Sequence, residues 1–572
     1  MDQRYRESAI GMIACVLFAM LPPHGAVAQN LVEPVSIHVD FDEEVGPMQP
    51  IWAWWGYDEP NYTYMKHGKK LLTEISELSP VPVFVRTHSL LVTGEGTYDL
   101  KWGSTNAYTE DETGYPVYDW TIIDSIFDTY IERGMKPLAQ IGFMPEALSV
   151  KPEPYRHYWK PGDNYNDIYT GWSYPPNNYE KWAELVFQWV KHSVERYGKE
   201  EVEGWYWELW NEPNINYWQG TVEEYIKLYD YTADAVKRAL PSARIGGPET
   251  TGPNWDQAAD YLITFLDHVL HGTNYVTGET GSPLDFITFH AKGSPKVIEG
   301  KIVMDMGAQL RDISRGFEIV ASYPELKHLP IIIGESDPEG CAACPVASYP
   351  QNGYRNGTMY SSYTAASFAR KYQLADHFGV NLLGAVTWGF EFEEQPWFAG
   401  FREMATNGVD KPVLNVFRMF GMMGGVRVKV AQDNLAYNYL SVRDHSIRDE
   451  MPDVNALASK QDNSVAVMVW NYHDVNELDV PPSPVTLDMT GIPVEKALMI
   501  HYRIDEDFSN SFTLWKRMGS PQDPTPEQYK QLEEAGQLHL FTSPQWINTE
   551  NGEYTLELTL PRQGVSLIKL TW

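Results

Sequence analysis

At 572 residues the chain is too long for one ordinary domain, and long enough for a large barrel plus a second module. Its 77 acidic residues outnumber 44 basic ones, and the formal charge of −33 repels nucleic acid and anionic membrane surfaces. That charge keeps the chain soluble, and it disfavours a highly anionic polymer as partner unless a local basic pocket overrules the global field.

In chain order, the first segment reads as an export leader. Arg4 and Arg6 precede an apolar run from Ala9 to Leu21 that is too short to span a bilayer, and Ala26-Val27-Ala28 is a small-residue cleavage site before Gln29. Cleavage as a lipoprotein before Cys15 would leave an apolar run of only Ala9 to Ala14, so a soluble periplasmic or secreted protein, cut after Ala28, is the expectation. No later segment has the length and apolarity of a membrane helix, so no membrane insertion is expected. Residues 29–45 contain a strand, Val35–Phe41, read as crossing over to join a distant sheet.

From residue 46 to 425, strand-like runs alternate with helical patterns. The strands end near Trp54, His88, Ile141, Leu209, Gly247, His290, Ile333 and Thr387. Amphipathic stretches lie between them: Trp120–Arg133, Tyr179–Arg196, Val222–Leu240, Tyr261–Leu270, Met304–Ser322 and Tyr360–Phe378. This repetition predicts an α/β fold, a (β/α)8 TIM barrel, whose functional groups sit at the C-terminal strand ends. After Gly424-Gly425 the pattern changes to short alternating segments, at Val426–Val430, Ser464–Trp470, Thr486–Met489, Ala497–Ile504, Tyr554–Leu560 and Val565–Trp572. Residues 426–572 are therefore read as a β-sandwich accessory domain. Within it, Trp515–Leu538 is polar with a short helix and no evident chemistry.

Two glutamates stand at strand tips. Trp207-Glu208-Leu209-Trp210-Asn211-Glu212-Pro213-Asn214 ends the fourth strand, and Ile331-Ile332-Ile333-Gly334-Glu335-Ser336 ends the seventh. A carboxyl pair so placed is the minimum equipment for hydrolysing a glycosidic bond. Glu212 is assigned as acid/base and Glu335 as nucleophile, and Asn211 as donor to the hydroxyl beside the anomeric carbon. Glu208, inside its strand, is read as structural, and Asp337 as organising its loop. The aromatic content of 13% suits carbohydrate, because sugar C–H faces stack on aromatic rings, although most of these rings must be core. Export leaves Cys341 and Cys344, in a Cys-Ala-Ala-Cys run just after Glu335, as a disulfide candidate. Two cysteines without nearby His fall short of the usual metal ligand set, and no metal is expected.

The run Trp207–Asn214, the helix Glu223–Val236, Ile245-Gly246-Gly247-Pro248 and the stretch Thr387–Pro412 together resemble glycoside hydrolase family 39, which contains β-xylosidases and α-L-iduronidases. The resemblance covers residues 35–425 well and the tail loosely. It implies a barrel with a C-terminal β-sandwich, and it matches His88 and His290 to histidines at the second and sixth strand ends. It matches Glu393 and Glu394 to a Phe-Glu-Glu run that reaches sugar hydroxyls, and Trp388 is taken with them as substrate-binding. Where the family's xylosidases read His-Ala-Tyr on the sixth strand, this chain reads His290-Ala291-Lys292-Gly293, as the iduronidase branch does. Lys292, with Arg355 or Arg402, is thus expected either to read an acidic sugar or to pair with Glu335.

The chain is accordingly expected to be an exported, retaining exo-glycosidase without cofactor, acting on plant or algal oligo- or polysaccharides, with β-xylosidase as the default. The alternatives are a uronidase or an α-L-arabinosidase or galactosidase of the same family. An inactive carbohydrate-binding barrel is the alternative of another class. The sandwich offers a route to homo-oligomers.

Overall fold

The computed structural model describes residues 34–572. The leader read over residues 1–28 lies outside the described residues.

The central sheet contains Trp54–Tyr57, Phe84–Thr87, Lys136–Ile141, Tyr206–Leu209, Arg244–Thr250, Phe286–Phe289 and Pro330–Ile333, and ends in a split strand, Asn381–Ala385 and Thr387–Trp388. Neighbours in sequence pair in parallel all the way round. Pro330 aligns with Asn381 on one side of the split strand and Thr387 with Trp55 on the other, so the sheet closes into a (β/α)8 barrel. Ile331, Ile332 and Ile333 are all fully buried, as a strand covered on both faces requires. Arg86, Gln140, Glu208 and Thr288 are equally buried, and they are polar. The barrel interior is thus apolar through much of its depth and ionic toward the site.

The covering helices start where local chemistry says they should. Val222–Ala239 opens with a capping box between Thr221 and Glu224 and ends with Lys237 and Arg238, opposing the helix dipole at both termini. Tyr179–Tyr197 is capped by Asn178, whose side chain accepts from the Lys181 amide. These two helices pack beside each other and carry the fourth strand between them.

The second sheet has nine strands, in the order His539–Asn548, Lys496–Ile504, Val565–Thr571, Ser464–Tyr472, Asp453–Gln461, Val426–Gln432, Val35–Pro47, Ser483–Thr490 and Tyr554–Leu560. It folds over a core of Ile37, Val39, Phe41, Val467, Leu487 and Ile568, giving the C-terminal β-sandwich. Val35–Pro47 lies inside this sheet, antiparallel to Val426–Gln432 and parallel to Ser483–Thr490. At the junction Gly425 has φ +70°, and a Cβ there would stand 2.1 Å from the Lys460 carbonyl oxygen, so only glycine fits.

One helix departs from the amphipathic pattern. Thr358–Phe378 is buried on nearly all sides, including Ser361, Ser362, Ser367, Arg370 and Lys371. The sandwich covers the side that would otherwise face water, so its polar residues meet partners across the junction. Ser362 Oγ donates to Gln563 Oε1 at 2.6 Å, and Arg370 Nη2 to Asp453 Oδ2 at 2.7 Å. Trp470 Nε1 donates to the same Asp453 oxygen at 2.8 Å. The polar stretch after Trp515 contributes to packing as well. Helices Ser511–Arg517 and Pro526–Ala535 set Trp515 and Leu532 against Trp397 and Phe398 of the eighth-strand loop.

Asp453→Ala should strand a buried guanidinium, costing about 3–5 kcal/mol and lowering Tm in scanning calorimetry. An unchanged melting profile would show that this pair does not hold barrel and sandwich together.

Candidate active site

Glu212 and Glu335 line one cleft of about 350 Å³ at the C-terminal end of the barrel strands. The Asn-Glu-Pro run is held by its neighbour strand. The Glu212 amide donates to the Glu249 carbonyl at 2.8 Å, and Asn214 Oδ1 accepts from the Thr251 amide at 2.9 Å. Trp210 and Glu212 take φ of 68° and 44°, left-handed values uncommon outside glycine, which the surrounding bonds enforce. Glu335 is clamped on both sides, its carbonyl accepting from Ala291 at 2.9 Å while the Ser336 amide donates to Val386 at 2.9 Å. Gly334 is needed because Glu249 crowds its α-carbon: a Cβ there would lie 1.4 Å from Glu249 Oε1.

Arg86, at 0% exposure, is the hub of the site. Its Nε donates to Glu208 at 2.5 Å, Nη2 lies 3.2 Å from Glu249 and Nη1 3.6 Å from Glu335. Nη2 also donates to Asn211 Oδ1 at 3.1 Å. That bond fixes the amide and leaves the Asn211 Nδ2 group to donate elsewhere, as contact with a sugar hydroxyl requires. Burial works against the Arg86 charge, but Glu208, Glu249 and Glu335 outweigh it and hold the group above its ordinary value.

His290 joins the carboxylates. Nδ1 donates to Glu212 Oε1 at 2.8 Å and Nε2 to Glu249 Oε1 at 2.7 Å, with Glu335 Oε1 3.9 Å from Nε2. Burial alone would discharge the ring, but Glu335 and Glu249 lift it to about 10, so both nitrogens carry protons. Glu335 is pulled the other way. Burial would raise its pKa, yet Lys292, His290 and His88 hold it well below the usual carboxylate range. Its Oε2 is bonded to Lys292 Nζ, while Oε1 lies 3.6 to 3.9 Å from Arg86, His88 and His290. Oε1 thus faces the positive charge of Arg86 and His290 but is not captured by a short hydrogen bond. Glu208 and Glu249 are shifted apart: desolvation and the Glu249 charge raise Glu208 against the pull of Arg86, whereas Arg86 and His290 hold Glu249 below the usual carboxylate range.

The remaining anticipated residues divide. Lys292 reaches the cleft and is 17% exposed, with Nζ paired to Glu335 and at 2.8 Å to Asp337. Cys341 and Cys344 form a disulfide in the loop that borders the cleft. His88 is fully buried, its Nδ1 2.8 Å from Asp58. Trp388 is buried behind it, its ring centroid 4.6 Å from the imidazole. Both support the floor of the site rather than lining the cleft. Arg355 and Arg402, anticipated as readers of an acidic sugar, are fully buried, and Arg402 makes its bonds through Nη1, with Nε and Nη2 unpartnered. Arg355 binds Glu339 at 2.5 Å and the Cys341 carbonyl at 2.8 Å, and Arg402 binds Asp337 and the Glu339 carbonyl. Glu393 caps the helix Lys66–Leu78, accepting from His67 and Gly68 amides at 2.5 and 3.3 Å. Glu394 takes a hydrogen bond from Tyr98 at 2.9 Å. Neither glutamate lines the cleft, because the eighth-strand loop turns them toward the first helix and the rim.

Sequence reasoning did not single out Arg86, Glu249 or Asp58. The signal for Arg86 was a lone charge inside an apolar strand run, Val81-Pro82-Val83-Phe84-Val85-Arg86. Nor did it find Tyr165, Tyr169, Tyr217 and Tyr349, which furnish the aromatic walls from loops without motifs.

The opposed shifts set the pH range of stability. His290, raised from 6.5 to about 10, contributes fully below about pH 6.5 and loses its contribution as pH rises through about 10. Glu335 and Glu249, lowered from 4.5, contribute above about pH 4.5 and lose their contribution on acidification. Tm should therefore peak between about pH 4.5 and 6.5, and His290→Asn should flatten the alkaline fall. A wild-type alkaline slope in that variant would remove His290 as its cause.

The sequence model of glycosyl hydrolases family 39 matches residues 35–549. A β-xylosidase of Caldicellulosiruptor saccharolyticus is 27% identical over 475 residues, spanning 80% of this chain and 84% of its own. The α-L-iduronidase of Mus musculus is 22% identical over 531 residues, 87% of this chain and 75% of that one. The crystal structure of a monomeric β-xylosidase from Caulobacter crescentus CB15 superposes with a TM-score of 0.70 at 23% identity, covering 94% of this chain and 99% of the other. The chain belongs to glycosyl hydrolase family 39 and is a retaining glycoside hydrolase.

Proposed function

We propose that this hydrolase is an exported exo-acting β-xylosidase that removes terminal, non-reducing xylose from plant or algal oligo- and polysaccharides. One observation carries the choice of a neutral sugar. Among the described residues that line the cleft, Lys292 is the only cation, and its ammonium is already paired to both Glu335 and Asp337. The arginines that would read a carboxylate, Arg355 and Arg402, are fully buried and each already sits in an ion pair, Arg355 with Glu339 and Arg402 with Asp337. A uronate would enter a cleft lined by Asp58, Glu212, Glu335 and Glu339 with no uncommitted positive charge among the described residues to meet it.

In this reading Glu335 Oε1 attacks the anomeric carbon while Glu212 protonates the departing oxygen, giving a covalent glycosyl-enzyme. Glu212, now ionised, takes a proton from water as the water displaces Glu335, so the configuration is retained. Glu212 Oε1 accepts from His290, which leaves Oε2 for the proton in transit. Asn211 Nδ2 donates to the neighbouring sugar hydroxyl, a bond that strengthens as the ring gains charge. Lys292 and His290 keep Glu335 ionised.

The second reading, a uronidase, rests on the 17% exposure of Lys292 in the cleft wall. A panel of aryl glycosides decides: β-xyloside, α-arabinoside, β-galactoside, β-glucuronide and α-iduronide. Release from the β-xyloside is the expected result, and release from the uronides alone overturns the proposal. Glu335→Ala should lower kcat by about a thousandfold or more, and wild-type turnover in that variant would remove Glu335 from the mechanism.

Export is supported by the leader pattern and by the Cys341–Cys344 disulfide, which persists in oxidising compartments. N-terminal sequencing of protein recovered from the periplasm or medium of an expressing bacterium should read from Gln29. Recovery in the cytoplasm with the leader intact would overturn that assignment.

A further inference from the structure

A second cavity, of about 250 Å³, opens beside the cleft. Its walls come from the loop after the second strand and the loop after the third, so it lies on the same face of the barrel as Glu212 and Glu335. The two loops are tied together by Tyr155, whose hydroxyl accepts from the Thr93 amide at 2.9 Å and donates to the Met144 carbonyl at 2.8 Å.

Its walls combine aromatic faces with polar groups of both signs. Trp102 and Trp172 are buried in the wall, and Tyr158, at 78% exposure, stands at the mouth. Glu95, Asp99 and Arg156 also line it, and Arg156 makes no ion pair among the described residues. Two wall residues hold polar atoms without partners, Trp102 Nε1 and His157 Nε2. Orphaned polar atoms of this kind call for a partner the protein does not supply. A wholly apolar ligand would leave the polar wall unpaired, and a strongly charged one would meet a like charge. A neutral ring with apolar C–H faces and hydroxyl edges satisfies both parts of the wall, and its size is at the small end of ligand pockets.

The cavity also shares a partition with the cleft. Lys101, in its wall, donates to Tyr165 at 2.9 Å and lies 3.5 Å from Asp58, and both of those residues line the cleft. Trp102 packs edge-on against Tyr217 of the cleft at 5.4 Å.

We infer that this cavity is a second saccharide site, taking a neutral sugar ring of a xylo-oligosaccharide beyond the residue being cleaved, or of a separate xylo-oligosaccharide chain. The inference rests on the xyloside reading above for the choice of sugar.

The test uses Tyr158→Ala and, separately, Tyr98→Ala, two exposed residues of the cavity wall outside the catalytic machinery. Wild type and variants are compared on an aryl β-xyloside and on xylotetraose. The Glu335→Gln protein, with and without Tyr158→Ala, is titrated with xylotetraose by calorimetry. If the ring belongs to the cleaved chain, KM for xylotetraose rises about five- to tenfold, the loss expected for truncating one aromatic contact, while the aryl xyloside KM is unchanged. If it belongs to a separate chain, kinetics hold and Tyr158→Ala removes one of two binding events. Either outcome supports the site. A single binding event in both proteins, with the two KM values unmoved, overturns it. Failure of the xyloside reading looks different: wild type itself then releases nothing from the aryl β-xyloside.

Discussion

The site is organised around one buried guanidinium. Arg86 draws Glu208, Glu249 and Glu335, from the fourth, fifth and seventh strand regions, toward the second strand and fixes the Asn211 amide. Three carboxyls packed this closely would repel one another and take up protons. Arg86, His290 and Lys292 counter them. An ionised Glu335 therefore persists in a place where burial alone would neutralise it. Replacing a cation in such a cluster leaves a buried charge unpaired, which is more damaging than losing an exposed ion pair.

The same arrangement ties His290 to both cleft glutamates. Glu335 is the largest of the groups that hold the charge on His290, and His290 donates to Glu212. In the double displacement proposed above, a sugar on Glu335 withdraws that support from His290 between the two steps.

Much of this was legible in the sequence, for physical reasons. Strands buried on both faces read as apolar runs, and capped helices carry their start signals, so the alternation behind the barrel showed through. Glu212 and Glu335 were legible because each ends such a run. The partners of those glutamates were not. Glu249 meets Arg86 across the barrel, and nothing local to Gly246-Gly247-Pro248-Glu249 reports a contact with residue 86. Glu393 looked like a sugar ligand by its position, yet it caps the helix Lys66–Leu78, which begins after Met65 and has no capping side chain of its own. Arg355 and Arg402 were misplaced for the same reason: the acidic and carbonyl partners that bury them lie on a loop whose path the sequence does not reveal.

The strand Val35–Pro47 has a consequence for assembly. It sits within a sheet whose other members begin at Val426, and the Met48 amide bonds to the Gly425 carbonyl at 2.9 Å. The barrel is therefore an insertion between two adjacent strands of the sandwich, held at its two ends like a loop closed by a clasp. During synthesis this strand emerges without a partner and waits until the whole barrel has followed it, a long-range pairing of the kind that slows folding. The C-terminal segment, for its part, is no detachable module. Cut free at the junction, it would lack an interior strand, and Val426–Gln432 and Ser483–Thr490 would face each other across an unfilled gap.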